Sequence, residues 1–308
     1  MKELKALFSG LSNAGKTSIL KVLDNDVASI PELAPTFGAQ ISTYKPMGIE
    51  THVWDMGGQS RYRQKYMAEF EKYFAGTNVL FYVIDVQSPE TFKESLNYLK
   101  QVIEVMTKLD LTKAFVAVLL HKYDPHVARN KKLESKLKAL WTKIRLIVGK
   151  FVFSVYRTSM YDPHTIFQAF SEGILHSFTE SQVFAQKIQE LAAEYSSQAV
   201  AMLATGGFTY ATWHSENIDV GDLYKFNTKA QELARYMNIY QDTDTEFRLT
   251  PLTNTLNFAA FFFPHKDDFI MVALIVPNTQ EEATLQEEFA ARRKEYEHVL
   301  EVFDDVRF

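Results

Sequence analysis

Two kinds of segment alternate along the first half of the chain. Short apolar runs that suit buried strands are separated by stretches in which apolar residues recur every three or four positions. A helical stripe of this kind lies in Pro89–Leu109. The apolar runs are Leu4–Ser9, Thr51–Trp54, Val79–Ile84, Ala114–Leu120 and Val152–Tyr156. Strands that alternate with helices predict an α/β domain with a mostly parallel sheet, over residues 1–178.

The pattern changes after Phe178. Helical segments are predicted at Ser181–Tyr195, Leu223–Met237 and Gln280–Val302, and strands at Ala199–Ala204, Phe208–His214, Thr255–Phe263 and Phe269–Val276. The last two strands are joined by the polar turn Pro264–Asp268, and strands joined by a tight turn pair antiparallel. Residues 179–308 therefore form a smaller α+β domain.

The last two predicted strands are too apolar to alternate between a buried and an exposed face. Their hairpin must be covered on both faces or must lie across a partner. Either helices of the same chain cover it, or an exposed face or sheet edge pairs with a second such domain.

Composition and charge place the chain among globular proteins. Hydrophobic residues make up 46% of it and the net charge is −5, with 33 basic and 38 acidic residues. This balance gives no support to a nucleic-acid-binding surface. The basic cluster from Arg129 to Lys138 precedes a periodic run of leucines, and we interpret it as the solvated face of a helix.

Several sequence features that are absent bear on where in the cell the protein is expected. The chain has no cysteine, which excludes disulfides, thiolate metal sites and lipidation at cysteine. Lys2 stands where myristoylation needs glycine, the start has no signal-peptide pattern, and the apolar run Phe269–Val276 is too short to cross a bilayer. We expect a cytoplasmic protein that reaches a membrane only through partners.

The segment Gly10–Thr17 (GLSNAGKT) matches the pattern G-x-x-x-x-G-K-[ST] between a predicted strand and a helix. Its backbone N–H groups can point at phosphate oxygens, and the helix start adds partial positive charge. Lys16 is expected to bridge the β- and γ-phosphates and Thr17 to bind Mg²⁺. The expected phosphate contacts are Asn13, Ala14, Gly15, Lys16, Thr17 and Ser18.

A second motif, Asp55-Met56-Gly57-Gly58-Gln59, follows the apolar run Thr51–Trp54. Asp55 is placed to hold Mg²⁺, and Gly58 can offer its N–H to a γ-phosphate. Gln59 suits the orientation of an attacking water, because its amide both donates and accepts. Thr36 offers a hydroxyl that can reach Mg²⁺ when a γ-phosphate is present, so one phosphate would hold two loops that separate on hydrolysis.

A third motif, His121-Lys122-Tyr123-Asp124, directly follows the run Ala114–Leu120. It therefore lies at the edge where open α/β sheets bind ligands. The Asp124 carboxylate can accept two hydrogen bonds from the N1–H and N2–H₂ groups that guanine has and adenine lacks. The stem of Lys122 would lie along the base. Ser159 and Met160 follow the next run and can close the pocket with backbone N–H groups.

These motifs resemble known GTPases. Gly10–Leu20 (GLSNAGKTSIL) and Trp54–Gln59 (WDMGGQ) are similar to Arf-like and Gα proteins, whereas His121–Asp124 (HKYD) and Thr158–Phe170 (TSMYDPHTIFQAF) are similar to the Rag/Gtr family. His121 stands where most motifs of its kind have asparagine. In Rag/Gtr proteins a GTPase domain precedes a roadblock-type domain, and the order of elements after Phe178 fits that plan.

The resemblance implies a Ras-superfamily small GTPase, a Mg²⁺-dependent switch between GTP and GDP, followed by a roadblock/longin-like domain. It implies a homo- or heterodimer through the C-terminal domain, other roadblock/longin-type proteins as partners, and GTPase-activating and exchange proteins. The family's functional residues carry over to Gly10–Ser18, with the catalytic Lys16, and to Thr36, Asp55, Gln59, Lys122, Asp124 and Ser159.

Hydrolysis is expected to be slow without an activating protein. Gα proteins supply an arginine in the first switch, but no Arg or Lys occurs between Lys21 and Lys45, so the transition-state charge lacks that partner. Arg61 and Arg63 follow the glutamine, where arginines on a helix face are more often solvated or partner-facing.

Two other functions fit parts of the sequence. The alternative is a nucleotide-bound or degenerate GTPase that acts as a constitutive scaffold, which the presence of Lys16, Thr17, Asp55 and Gln59 argues against. A phosphate-loop enzyme of another kind, such as a small-molecule kinase, would leave the second and third motifs unexplained.

Overall fold

A computed structural model describes residues 3–45, 49–127, 129–178, 181–237, 247–265 and 268–306. The chain divides between Ser177 and Phe178 into two compact units. Within the described ranges, no helix combines the length and the hydropathy that a bilayer-spanning segment needs.

The first unit is built around one sheet. Its described strands are β1 Leu4–Gly10, β2 Ala39–Tyr44, β3 Thr51–Met56, β4 Val79–Asp85, β5 Phe115–His121 and β6 Phe153–Thr158. They lie in the order β2-β3-β1-β4-β5-β6, and each neighbouring pair is parallel except β2 with β3. The predicted α/β fold with a mostly parallel sheet is confirmed.

Helices cover both faces of this sheet. They are α1 Lys16–Leu23, α2 Ser60–Ala68, α3 Phe70–Phe74, α4 Phe92–Lys108, α5 Lys131–Val148 and α6 Pro163–Leu175. On one face Phe8 stacks on Phe81, which stacks on Phe170 of α6. On the other face Leu7 and Leu80 pack in one core with apolar residues of α4 and α5. Burial on both faces explains why these strands are continuous apolar runs.

Strand β2 departs from that pattern, whereas helix α5 follows it. The sequence predicted no strand at β2, because its side chains are mostly exposed and form no apolar run. Helix α5 begins after Asn130, whose side chain accepts hydrogen bonds from the N–H groups of Lys132 and Leu133. Its lysines are exposed and Leu133, Leu137 and Leu140 are buried, so the helix predicted at the basic cluster is confirmed.

The second unit contains an antiparallel sheet. Its described strands are β7 Ala199–Ala204, β8 Thr209–His214, β9 Phe247–Pro251, β10 Leu256–His265 and β11 Asp268–Pro277, in the order β8-β7-β11-β10-β9. Its helices are α7 Ser181–Glu194, α8 Val220–Arg235 and α9 Glu282–Val306. The predicted α+β class is confirmed, and Lys266 and Asp267, at the centre of the predicted turn, lie outside the described residues.

Helices of the same chain cover both faces of the hairpin β10–β11. Phe226 of α8 packs against Phe258 on one face, with ring centroids 5.7 Å apart. On the other face Phe289 of α9 stacks on Phe261, with centroids 3.7 Å apart. The alternative in which this hairpin exposes a face to a second domain is therefore wrong. The sequence allowed pairing through an exposed face or through a sheet edge. The sheet edges, at β8 and β9, remain available for pairing.

Candidate nucleotide-binding site

The phosphate-binding loop lies between β1 and α1. Asn13 and Gly15 adopt left-handed backbone conformations, with φ of 60° and 97°. A Cβ atom on Gly15 would lie 2.4 Å from Cδ2 of His121, so only glycine fits there. The loop borders a cavity of about 220 Å³, whose lining includes the predicted residues Asn13, Gly15, Lys16, Thr17, Ser18, Thr36, Gly58 and Gln59. Ala14 lines a neighbouring cavity of about 260 Å³.

Lys16 is buried beneath the loop. Its ammonium group donates to the carbonyl oxygens of Leu11 and Gly10, at 2.8 and 3.2 Å. Burial lowers the pKa of Lys16 to about 8, and Asp55 opposes that shift. An anion beside this ammonium group would offset the loss of solvation of its charge on burial.

The three predicted magnesium ligands meet at one point. The hydroxyl of Thr17 donates to Oδ2 of Asp55 at 2.7 Å, the hydroxyl of Thr36 donates to the same oxygen at 3.2 Å, and the two hydroxyl oxygens lie 2.9 Å apart. Asp55 is 3% exposed, and among the described residues its Oδ1 has no hydrogen-bond partner. A buried carboxylate beside two hydroxyl oxygens fits Mg²⁺, which prefers oxygen ligands.

The second motif links two loops around this point. The N–H of Gly57 donates to the carbonyl oxygen of Gly38 at 2.9 Å, which connects it to the loop that carries Thr36. Gly58 lies against the phosphate-binding loop, since a Cβ atom there would lie 2.3 Å from backbone atoms of Leu11 and Ser12. The side of the cavity formed by Gly58 and Gln59 is therefore fixed by backbone contacts.

Asp124 is held in place by two side chains. Its Oδ1 accepts from the hydroxyl of Ser159 at 2.6 Å, and its Oδ2 accepts from Nε2 of Gln87 at 2.7 Å. Asp124 is 7% exposed. Each carboxylate oxygen can accept a further hydrogen bond, so this arrangement orients the group without exhausting it.

Lys122 connects the third motif to the phosphate-binding loop. It adopts a left-handed conformation with φ of 62°. Its ammonium group donates to the carbonyl oxygen of Asn13 at 2.8 Å and to Oδ2 of Asp85 at 2.7 Å. The Lys122 side chain therefore connects the third motif to the backbone of the predicted phosphate-binding loop and to the end of β4.

His121 fills the space behind the loop. Its Nδ1 lies 3.0 Å from the hydroxyl oxygen of Thr158, and its ring lies against Gly15. Burial, with a smaller contribution from Lys122, lowers the pKa of His121 to about 4. His121 is therefore neutral at neutral pH and joins the phosphate-binding loop to the segments that carry Asp124 and Ser159.

The segment after β6 makes a different set of contacts. The N–H of Ser159 donates to the hydroxyl of Thr165 at 3.2 Å, and the hydroxyl of Ser159 binds Asp124. Met160 is half-buried in the turn that follows. In this arrangement Ser159 positions Asp124 through its side chain, whereas the sequence pointed to its backbone N–H.

Sequence reasoning missed two residues of the site. Asp85 ends β4 and pairs with Lys122, and Gln87 binds Asp124. Asp85 ends a parallel strand at the same sheet edge as Asp55 and His121, so the edge rule was a usable signal for it. Gln87 lies in a loop and belongs to no pattern.

The two arginines that follow Gln59 are placed differently. Arg61 lies over the ring of its neighbour Tyr62. The side chain of Arg63 is 15% exposed, pairs with Glu94 and lies 5.1 Å from the ring centre of Tyr98. Arg63 is therefore held against α4 and is not a solvated arginine.

A family model and a relative that spans nearly the whole chain point to the same family of proteins. A family model for the conserved region of Gtr1/RagA G proteins matches residues 5–233. The Ras-related GTP-binding protein A of Dictyostelium discoideum is 25% identical over 288 residues, which cover 91% of this chain and 93% of that protein.

Other relatives match about half of the chain. The ADP-ribosylation factor-like protein alp41 of Schizosaccharomyces pombe is 35% identical over 136 residues, which cover 44% of this chain and 68% of that protein. The solved structure of the Arl6 small GTPase from Trypanosoma brucei, with a bound nucleotide analogue, covers 57% of this chain and 98% of its own, with 17% identity and a TM-score of 0.46.

Proposed function

This chain belongs to the Gtr1/RagA family of G proteins, and from that premise we propose that its GTP-controlled switch is built on the cluster of Thr17, Thr36 and Asp55. The family binds GTP and GDP and hydrolyses GTP. The finer proposal is that Mg²⁺ binds this cluster, that Asp124 selects guanine and that Gln59 orients the attacking water. The scaffold function remains the alternative.

The meeting of Thr17, Thr36 and Asp55 is the observation that carries the proposal. Thr17 belongs to the phosphate-binding loop, Thr36 lies in the loop before β2, and Asp55 lies at the end of β3; Gly38 and Gly57, which follow Thr36 and Asp55, are joined by a backbone hydrogen bond. A cation and a γ-phosphate at this point would hold both loops. Loss of the phosphate would release Thr36 and let its loop move. A partner protein can distinguish the two conformations of this loop.

The chain's own groups divide the work of hydrolysis. Lys16 supplies positive charge to the phosphates, and backbone N–H groups of the loop, with that of Gly58, bind their oxygens. Gln59 holds the water in line with the γ-phosphate through its amide. Mg²⁺, when bound, neutralises charge that develops on the β- and γ-phosphate oxygens.

Hydrolysis by the purified chain is expected to be slow and to depend on Gln59. Without a positive side chain in the first switch, the rate should be on the order of 10⁻⁴ to 10⁻² s⁻¹. Gln59→Leu removes both hydrogen-bonding groups of the amide and should lower the rate by about tenfold or more. Single-turnover hydrolysis of GTP in the presence of Mg²⁺ measures both rates.

Gln64→Leu is the matched control, because Gln64 is exposed on α2, the helix that begins directly after Gln59. It should hydrolyse GTP at the wild-type rate. An equal loss in the two variants would exclude the proposed role of Gln59. A wild-type rate of about 1 s⁻¹ or faster would show that the chain supplies its own positive partner, for which Arg63 would be the first candidate to test.

We propose that the second unit is the roadblock/longin-like domain, and that it dimerises with a second copy or with a related chain. Both faces of its central hairpin are covered, so a sheet edge carries the contact. Edge strands present unpaired N–H and C=O groups, and Thr212 on β8 and Pro251 on β9 are exposed. Activating and exchange proteins and other roadblock/longin-type proteins would act on this dimer, in the cytoplasm or beside a membrane that a partner contacts.

Light scattering at high protein concentration is expected to give the mass of a dimer. The chain has no cysteine, so Thr212→Cys and Pro251→Cys each introduce one thiol, and disulfide cross-linking in only one variant identifies the edge. A monomer at all concentrations would exclude self-association. Co-expression of the same variants with a related chain that carries a single cysteine on its own edge strand then tests the heterodimer by the same cross-link.

A further inference from the structure

A groove lies between α5 and β6, and its lining contains none of the residues assigned to the nucleotide. It encloses about 430 Å³ and is lined by Leu120, Leu137, Lys138, Trp141, Thr142, Val155 and Arg157. Leu120 and Leu137 are buried beneath it, whereas Trp141 is 42% exposed at its wall. The groove therefore has an apolar floor and a polar rim, a composition typical of ligand-binding sites.

Among the strands that the structure describes, the strand beside this groove is paired on one edge only. β6 is the last described strand of its sheet and pairs on one side with β5. Val152 accepts from the N–H of Val116 and Thr158 from that of Tyr123, so every second residue from Val152 to Thr158 bonds inward. Because backbone groups alternate along a parallel strand, those of Phe153, Val155 and Arg157 point outward. An extended segment can use these groups.

The chain segment that supplies most of the groove lining is strongly basic. The segment Arg129–Arg157 contains nine Lys or Arg and one acidic residue, Glu134, in a chain of net charge −5. All nine basic side chains are exposed. Glu134 bonds to Tyr123 and to Arg157, so it is already engaged. This concentration of one sign of charge favours an acidic ligand and raises the rate at which it associates.

We propose that this groove binds an acidic, extended segment of a partner protein. The segment adds a strand to β6, places an apolar side chain over Leu120 and Leu137 beside Trp141, and sets its carboxylates against the surrounding lysines. An anionic membrane would meet the charge but would use neither the concave floor nor the free strand edge. A second copy of the chain would bring the same basic surface and would be repelled.

The experiment exposes the full chain to two pools of nine-residue peptides. In one pool Glu or Asp alternates with Val, Ile, Leu or Phe, and in the other Lys or Arg replaces the acidic residues. Retained peptides are identified by mass spectrometry, and the affinity of the strongest is measured by fluorescence anisotropy. Acidic members should bind about tenfold or more tightly than any basic member, and no such preference would overturn the proposal.

Variants locate the binding. Lys138→Glu and Trp141→Ala should each lower the affinity for the retained acidic peptide by about tenfold. Lys108→Glu makes the same charge change at an exposed lysine of α4 and should leave binding unchanged. GDP binding checks that each variant folds. Equal weakening by Lys108→Glu, or none by the two groove variants, would place the site elsewhere and overturn the proposal.

Hydrogen exchange tests the strand addition itself. Bound peptide should slow exchange of the Phe153 and Val155 amides by about tenfold or more, because their N–H groups point to the free edge. Binding without this protection would overturn the strand addition. Vesicles that contain phosphatidylserine form the last arm, and Lys138-dependent binding to them without retention of acidic peptides would identify a membrane-binding surface instead.

Discussion

Asp124→Ala is expected to lower the affinity for GDP by about 10² to 10⁴-fold. The carboxylate can accept two hydrogen bonds from the guanine edge, and hydrogen bonds to a charged group contribute about 1.5–3 kcal/mol each. Asp124 is buried and is oriented by Ser159 and Gln87, at 2.6 and 2.7 Å, so little of this contribution is lost to disorder. Competition of GDP against a fluorescent nucleotide measures the loss.

Asp124→Asn separates a lost contact from a lost fold. The asparagine amide can donate to the carbonyl that xanthine carries where guanine carries its amino group, so this variant should bind xanthosine diphosphate more tightly than GDP. The wild type should show the opposite order. Unchanged GDP affinity in Asp124→Ala, or an adenine nucleotide released from the purified wild type, would exclude the assignment of Asp124 to the base.

The sequence allowed the three motifs to be predicted because each one combines spacing with position in the fold. The phosphate-binding loop follows β1, Asp55 is the second-to-last residue of β3 and His121 is the last residue of β5, so all three motifs fall at the end of an apolar run. Parallel strands bring such ends to one edge of a sheet. The meeting of Thr17, Thr36 and Asp55 follows from that rule and from the antiparallel pairing of β2 with β3.

The contacts that the sequence did not predict depend on side-chain packing. Gln87 reaches Asp124 from a loop, and Arg63 turns from solvent to pair with Glu94. Neither contact can be recognised from a periodic pattern or a sequence motif, because each one joins two elements that are remote along the chain. The same limit applies to the hairpin β10–β11, whose apolar strands fit both a partner-covered and a self-covered sheet until α8 and α9 are placed.

Gly58→Ala should separate hydrolysis from nucleotide binding. A Cβ atom at Gly58 would lie 2.3 Å from the carbonyl carbon and oxygen of Leu11 and from the nitrogen of Ser12. These are backbone atoms, so no side-chain rotation relieves the overlap and the loop that carries Gln59 must move away. The N–H of Gly58 and the amide of Gln59 then leave the γ-phosphate together. Loss of an oriented donor of this kind lowers the rate of hydrolysis by about 10² to 10³-fold.

GDP affinity in Gly58→Ala should stay within about tenfold of the wild type, because Asp124 and Lys122, the proposed base contacts, do not belong to this loop. Gly76→Ala is the control: its φ is 70° and a Cβ atom there meets nothing within 4 Å. That change should lower stability by about 1 kcal/mol or more through backbone strain and leave hydrolysis unchanged. Hydrolysis by Gly58→Ala within about threefold of the wild-type rate would mean that the backbone contact with Leu11 is not needed in the active state.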